Sequence, residues 1–248
     1  TFIWWELRCS APMLDIRLFK GLTFSFGVSA AFLMFLGSSA VRFLMPVYLQ
    51  NVLGYSAKTA GFVVVPGALC MAFFGAVSGV LSDRFGWRPF TVGGLGFSAT
   101  GVLILSRVSE TTSLWMVVPA QMLMSSGMGI FYSPNSSSVM NAVGQAKYGV
   151  VSGFLNLVRN AANVSSIAIA TIIVTTTMNS MGFEPSLEAV RGGAEGVGHA
   201  FTTGLRYAFL AMTGWILIAM TVSAFQRGRV GEMGTAKPGE LEESQAEA

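Results

Sequence analysis

The chain has 248 residues, of which 52% are hydrophobic and only 11% charged, with a mean hydropathy of +0.61 and a formal net charge of +3. A soluble domain carries about a quarter charged residues, so this chain has too little polar surface to coat a water-facing globule. Its charge is too small and dispersed for a nucleic-acid partner. Its two cysteines, Cys9 and Cys70, lie far apart without a Cys or His partner, which argues against a disulfide framework or a metal site.

A helix crossing the hydrocarbon layer needs about 20 mostly apolar residues. Residues 1–17 precede any such run and read as a cytoplasmic linker. Thr1 is not an initiator, and Trp4, Trp5, Glu6 and Arg8 do not make a signal peptide's basic start and apolar core. The chain is therefore expected to be a piece of a longer protein. Charge-poor runs then predict six membrane spans, at about residues 21–50, 60–81, 90–107, 114–140, 150–178 and 207–226, an all-α integral membrane fold. The first span runs through Arg42. The fourth lies in a charge-free run too long for one crossing, and Ser133-Pro134-Asn135-Ser136-Ser137-Ser138 places its end near Met140. The fifth contains Arg159. A polar loop with Pro185, several glycines and His199 is expected over residues 179–204. The tail, residues 227–248, has almost nothing apolar to bury and is expected to be disordered and cytoplasmic.

Six spans put both ends of the bundle on one side. Arg8, Arg17, Lys20, Arg84, Arg88, Lys147, Arg227, Arg229 and Lys237 fall on that side, against Lys58, Arg107, Arg191 and Arg206 on the other. The excess of positive charge places the termini in the cytoplasm of a cell membrane.

Helices in lipid associate through close backbone approach, which small residues permit. Gly75 to Gly79, Gly93-Gly94-Leu95-Gly96 and Gly127-Met128-Gly129 supply such surfaces, and Pro46, Pro66 and Pro119 predict bends. Polar residues at membrane depth are more informative. Asn156, Arg159, Asn160 and Asn163 follow the i, i+3, i+4, i+7 spacing of one helix face. A guanidinium there costs several kcal/mol unless it meets a partner or a wet cavity, so this face is expected to line a cavity. Phe131 and Tyr132 are candidate substrate contacts, with Met122 and Met124 beside them. No carboxylate lies within any predicted span. If protons drive this protein, their carrier group is not among these residues.

The loop after the second span reads Gly79-Val80-Leu81-Ser82-Asp83-Arg84-Phe85-Gly86-Trp87-Arg88-Pro89. Gly79 admits a neighbouring helix, Gly86 turns the chain, and Asp83 can accept from a helix N-terminus or pair with Arg84 or Arg88. Such a cluster can act as a conformational latch. The pattern resembles the cytoplasmic signature of the major facilitator superfamily. Residues 12–19, 48–56, Ala60-Gly61-Phe62 to Pro66-Gly67, and Val151-Ser152-Gly153 with Asn156 and Arg159 resemble its fourteen-helix drug:proton antiporter branch. The resemblance covers roughly residues 6–226 and implies a six-helix C-terminal half of a transporter fold whose N-terminal half is missing. It further implies a proton-coupled exporter of lipophilic or cationic drugs, working by alternating access around a midplane site. A metabolite or sugar permease of the same superfamily, or a six-helix subunit acting as an oligomer, is the alternative. An enzyme would need a nucleophile with its base, a carboxylate pair or a metal cluster, and the single histidine, His199, has no paired ligand. No catalytic residue, metal or cofactor is expected.

Overall fold

The structure, a computed structural model, describes residues 19, 21–143, 147–187, 190 and 196–225. The expected linker and tail lie outside the described residues. The described residues form six α-helices: α1 (Leu22–Asn51), α2 (Ala57–Phe85), α3 (Trp87–Leu105), α4 (Leu114–Asn141), α5 (Tyr148–Ser180) and α6 (Val197–Phe225). All six are long and apolar enough to cross a membrane.

Local chemistry sets several of their ends. Ser56 caps α2 by accepting from the Thr59 amide at 3.2 Å, and Ser113 caps α4 through the Trp115 amide at 3.3 Å. A single residue, Gly86, separates α2 from α3 at φ 84 and ψ 151, a region open essentially to glycine alone. Pro46, Pro66, Pro119 and Pro134 lie inside helices. Each removes one backbone donor. Pro46 thereby frees the carbonyl of Arg42, one turn earlier.

The helices outrun the spans expected from charge. At about 1.5 Å per residue, α5 with its 33 residues rises well past the roughly 30 Å hydrocarbon layer. The largest departure is α6, which starts at Val197 rather than near Tyr207. His199, expected in the exterior loop, and Arg206, expected just before the span, are helical. Polar residues hide this segment from a hydropathy reading, yet its other face is apolar. Val197, Ala200, Phe201, Gly204, Leu205 and Ala208 are buried at helical spacing.

The packing has a regular plan. α4 packs along α2 on one side and α3 on the other, while α1 packs along α5 and α6. Contacts of α3 with α6 and of α1 with α4 join the two trios. Exchanging α1, α2, α3 for α4, α5, α6 reproduces these neighbours, the mark of a repeated three-helix unit. The seams rest on small residues. Gly67 of α2 meets Ser125 of α4, Gly75 meets Gly129, and Gly79 meets Ser133, so the two helices stay close over several turns. Gly37 of α1 lies against Met212 and Ile216 of α6, and Gly204 of α6 against Val174 of α5. Close approach of this kind is how helices gain dispersion energy where lipid removes the hydrophobic drive.

Candidate functional site

α1 packs on both α4 and α5, which barely touch each other. It therefore floors a groove walled by the other two. Arg42 of α1 reaches both walls. Its Nη2 donates to Ser39 Oγ at 3.0 Å and to Asn163 Oδ1 of α5 at 3.4 Å, and its Nη1 lies 3.3 Å from Met128 Sδ of α4. Ser39 Oγ in turn donates to Asn163 Oδ1. One turn earlier along α5, Arg159 donates to Tyr132 OH at 3.0 Å and to Asn156 Oδ1 at 2.6 Å. Its guanidinium carbon stands 5.3 Å from the Tyr132 ring centre and 5.8 Å from that of Phe35, rings packed edge to face. Both are within cation–π range. Arg42 is bonded to Asn163, one turn along α5 from Arg159, so the two guanidinium groups meet the same stretch of that helix.

Three of the four residues expected on the polar face of α5 thus enter two neighbouring hydrogen-bonded sets, Asn163 with Arg42 and Ser39, and Asn156 and Arg159 with Tyr132. Asn160 is exposed beside them and has no hydrogen bond there. Tyr132 belongs to the second set, but Phe131 does not line the groove. One residue step turns a helical side chain by about 100°, and Phe131 is fully buried in the apolar core, its backbone against Gly94 of α3. Arg42, Ser39 and Phe35 complete the site from a helix that hydropathy marks only as a span. Their i, i+4, i+7 spacing is the available signal, weakened because Ser39 and Phe35 are unremarkable in any membrane helix.

At the other candidate site, the α2–α3 turn, Gly79 lies against Ser133 Oγ of α4, so a Cβ there would come within 2.8 Å. Arg88 donates to the carbonyl of Ala224 in the last turn of α6, a cation placed on a helix C-terminus. Arg84 sits likewise in the last turn of α2. Asp83 is exposed and, among the described residues, pairs with neither arginine. Residues one apart on a helix do not face each other, which separates it from Arg84, and Arg88 is turned to α6. The expected ion pair within this turn is therefore not formed.

On the opposite face, a depression of about 390 Å³ is lined by Arg107, Glu110, His199 and Arg206 among others, with His199 Nδ1 3.6 Å from Glu110 Oε1.

The model of the Major Facilitator Superfamily matches residues 4–167, well over half of the chain. The chain belongs to the major facilitator superfamily. This is a family of membrane transporters, not of enzymes, and the chain is a multi-pass membrane protein of that kind. It is 26% identical over 227 residues to the lincomycin resistance protein LmrB of Listeria monocytogenes, covering 91% of this chain and 47% of that protein. It is 27% identical over 155 residues to the riboflavin transporter RibZ of Clostridioides difficile, covering 62% of this chain and 34% of that protein. Among solved structures it resembles a bacterial homologue of the human lysosomal transporter Spinster, in an inward-facing and occupied conformation, with a TM-score of 0.60. At 22% identity, covering 83% of this chain and 49% of the other, that likeness speaks for the superfamily fold. This superfamily member spans no more than about half the length of these relatives.

Proposed function

We propose that this chain is the C-terminal half of a proton-coupled exporter that moves lipophilic or cationic drugs out of the cell by alternating access. The observation that carries the reading is the groove between α1, α4 and α5. A polar network with a half-buried guanidinium is costly against lipid and suits a substrate path near the midplane.

A second feature supports a partner half. The most apolar stretches of α2 and α5 are only 17% and 22% buried, the lowest of the six helices. Their exposed faces are rich in small residues: Gly61, Ala68, Ala72 and Ala76 on α2, and Gly149, Ser152 and Gly153 on α5. Space is open where side chains at Gly61, Gly149 and Gly153 would stand. Lipid does not call for small residues, whereas a second helical bundle seated there does. Asp83, which pairs with neither nearby arginine, is then free to latch against that bundle in one conformation. Both ends of the six-helix domain face the cytoplasm, on the charge asymmetry described above. The proton carrier belongs to the other half, since the described spans hold no acid at membrane depth.

Everted membrane vesicles carrying the complete gene product test this reading. Drug uptake should follow an inward-acid pH gradient and collapse with a protonophore; uptake indifferent to the gradient removes proton coupling. Asp83→Asn should lower uptake on the order of tenfold, the weight of a lost charged hydrogen bond, with unchanged protein in the membrane. Wild-type uptake in that variant would remove the latch.

A further inference from the structure

We propose that the groove holds an acidic group of the transported molecule (a carboxylate, sulfonate or phosphate) between the guanidinium groups of Arg42 and Arg159. This deepens the exporter reading and rests on it.

The charge balance of the groove comes first. Arg42 and Arg159 enter from different helices, α1 and α5, and meet only neutral acceptors: Ser39, Asn163 and Met128 for one, Tyr132 and Asn156 for the other. The one acidic residue on the six described helices is Asp83, in the last turn of α2. Two cations at membrane depth without a counter-charge are unstable unless an anion or water meets them. A permanent internal carboxylate would neutralise the site, and here the described helices supply none.

Donor geometry comes second. A guanidinium presents five N–H donors in a rigid fork that matches planar carboxylate and phosphate oxygens. Arg159 spends only two of these donors on the protein, with hydrogen bonds to Tyr132 and Asn156. Its Nε–H and one proton on each terminal nitrogen remain for a further acceptor. Arg42 is exposed toward the same groove, which a purely structural tether would not require. Third, Phe35 and Tyr132 form an edge-to-face aromatic pair at 5.9 Å directly beside Arg159. Phe35 is buried, so the half-buried Tyr132 ring is the surface that an aromatic or other flat apolar body attached to the acid group would meet.

Two dyes with a common xanthene core, anionic fluorescein and cationic rhodamine 6G, separate the outcomes when the complete gene product is reconstituted in proteoliposomes. Fluorescein should be transported. Arg42→Gln and Arg159→Gln should each cut its transport by about tenfold or more, the loss of one charged hydrogen-bonding partner. Rhodamine 6G transport should fall several-fold less than fluorescein transport in variants that stay monodisperse. Arg42→Lys, which keeps the charge but not the fork, should retain an intermediate rate. On the unmutated protein, a lipophilic carboxylic acid should compete with fluorescein while its methyl ester does not. Equal competition by acid and ester overturns the proposal, whichever variants fold. Equal loss of both dyes in a folded variant also overturns it, assigning the arginines to coupling or to a carboxylate of the other half. Transport of rhodamine 6G alone by the unmutated protein overturns it while leaving the exporter reading in place. Transport of neither dye overturns both.

Discussion

Gly94→Ala is expected to break the seam between α3 and α4, while Gly93→Ala, one residue earlier, leaves the protein intact. A Cβ on Gly94 would stand 2.6 Å from the Phe131 amide nitrogen and 2.7 Å from the Gly127 carbonyl oxygen. Both obstacles are backbone atoms, so no side-chain rotation relieves the clash. The reciprocal glycine, Gly127, is as confined, facing the Gly94 carbonyl and the Ser98 amide. Ser98 Oγ donates to the Met124 carbonyl at 2.8 Å within the same seam, and any separation of the helices loses that bond too. Overpacking of this kind costs about 1–3 kcal/mol, and more where backbone cannot move. A Cβ on Gly93 would meet nothing within 4 Å, so alanine there only improves helix propensity, by about 0.5–1 kcal/mol. Thermal unfolding and the monodisperse fraction in detergent check the pair. Equal behaviour of the two variants would mean the α3–α4 approach is wrong.

Arg159→Ala is expected to cut transport of acidic substrates by about tenfold or more, and of others less, while the protein still reaches the membrane. α4 and α5 scarcely pack against each other, so the bond from Arg159 to Tyr132 OH is a principal bridge across the groove. The substitution removes that bond, the bond to Asn156, and the contacts of the cation with the Tyr132 and Phe35 rings. Losses of about 1.5–3 kcal/mol per charged hydrogen bond correspond to a fall of tenfold or more in rate or affinity. A double-mutant cycle with Tyr132→Phe isolates the bridge, with an expected coupling of about 0.5–3 kcal/mol. Additive effects, or full transport by Arg159→Ala, would mean that the guanidinium only reaches for the membrane surface.

Parts of this site are legible in the chain alone. The stripe from Asn156 to Asn163 is visible because polar residues stand out in an apolar helix and repeat at helical spacing. The motif from Gly79 to Arg88 is visible because glycines, an acid and arginines occur at set intervals around a turn. What escapes is the partner of each group. Arg42 and Asn163 are 121 residues apart in the chain and share a hydrogen bond, a fact of helix placement rather than of spacing. Phe131 and Tyr132 look equivalent side by side in sequence, yet one is core and the other lines the groove, because α3 happens to lie on the former's side. His199 reads as a loop residue and Arg206 as preceding the span, since hydropathy averages over both faces of a helix and so misses an apolar stripe that is buried on only one.

The sequence by itself determined the solvent, the number of spans and the family. Each depends on a local count: apolar residues per crossing, charges per turn, a motif within eleven residues. Only the tertiary structure decided which small residues are contacts and which are open, that Asp83 pairs with neither nearby arginine, and that Arg42 and Arg159 share one groove without an acid. Those facts depend on the position of a second helix, and contact free energy arises between elements far apart in the chain, where no local pattern records it.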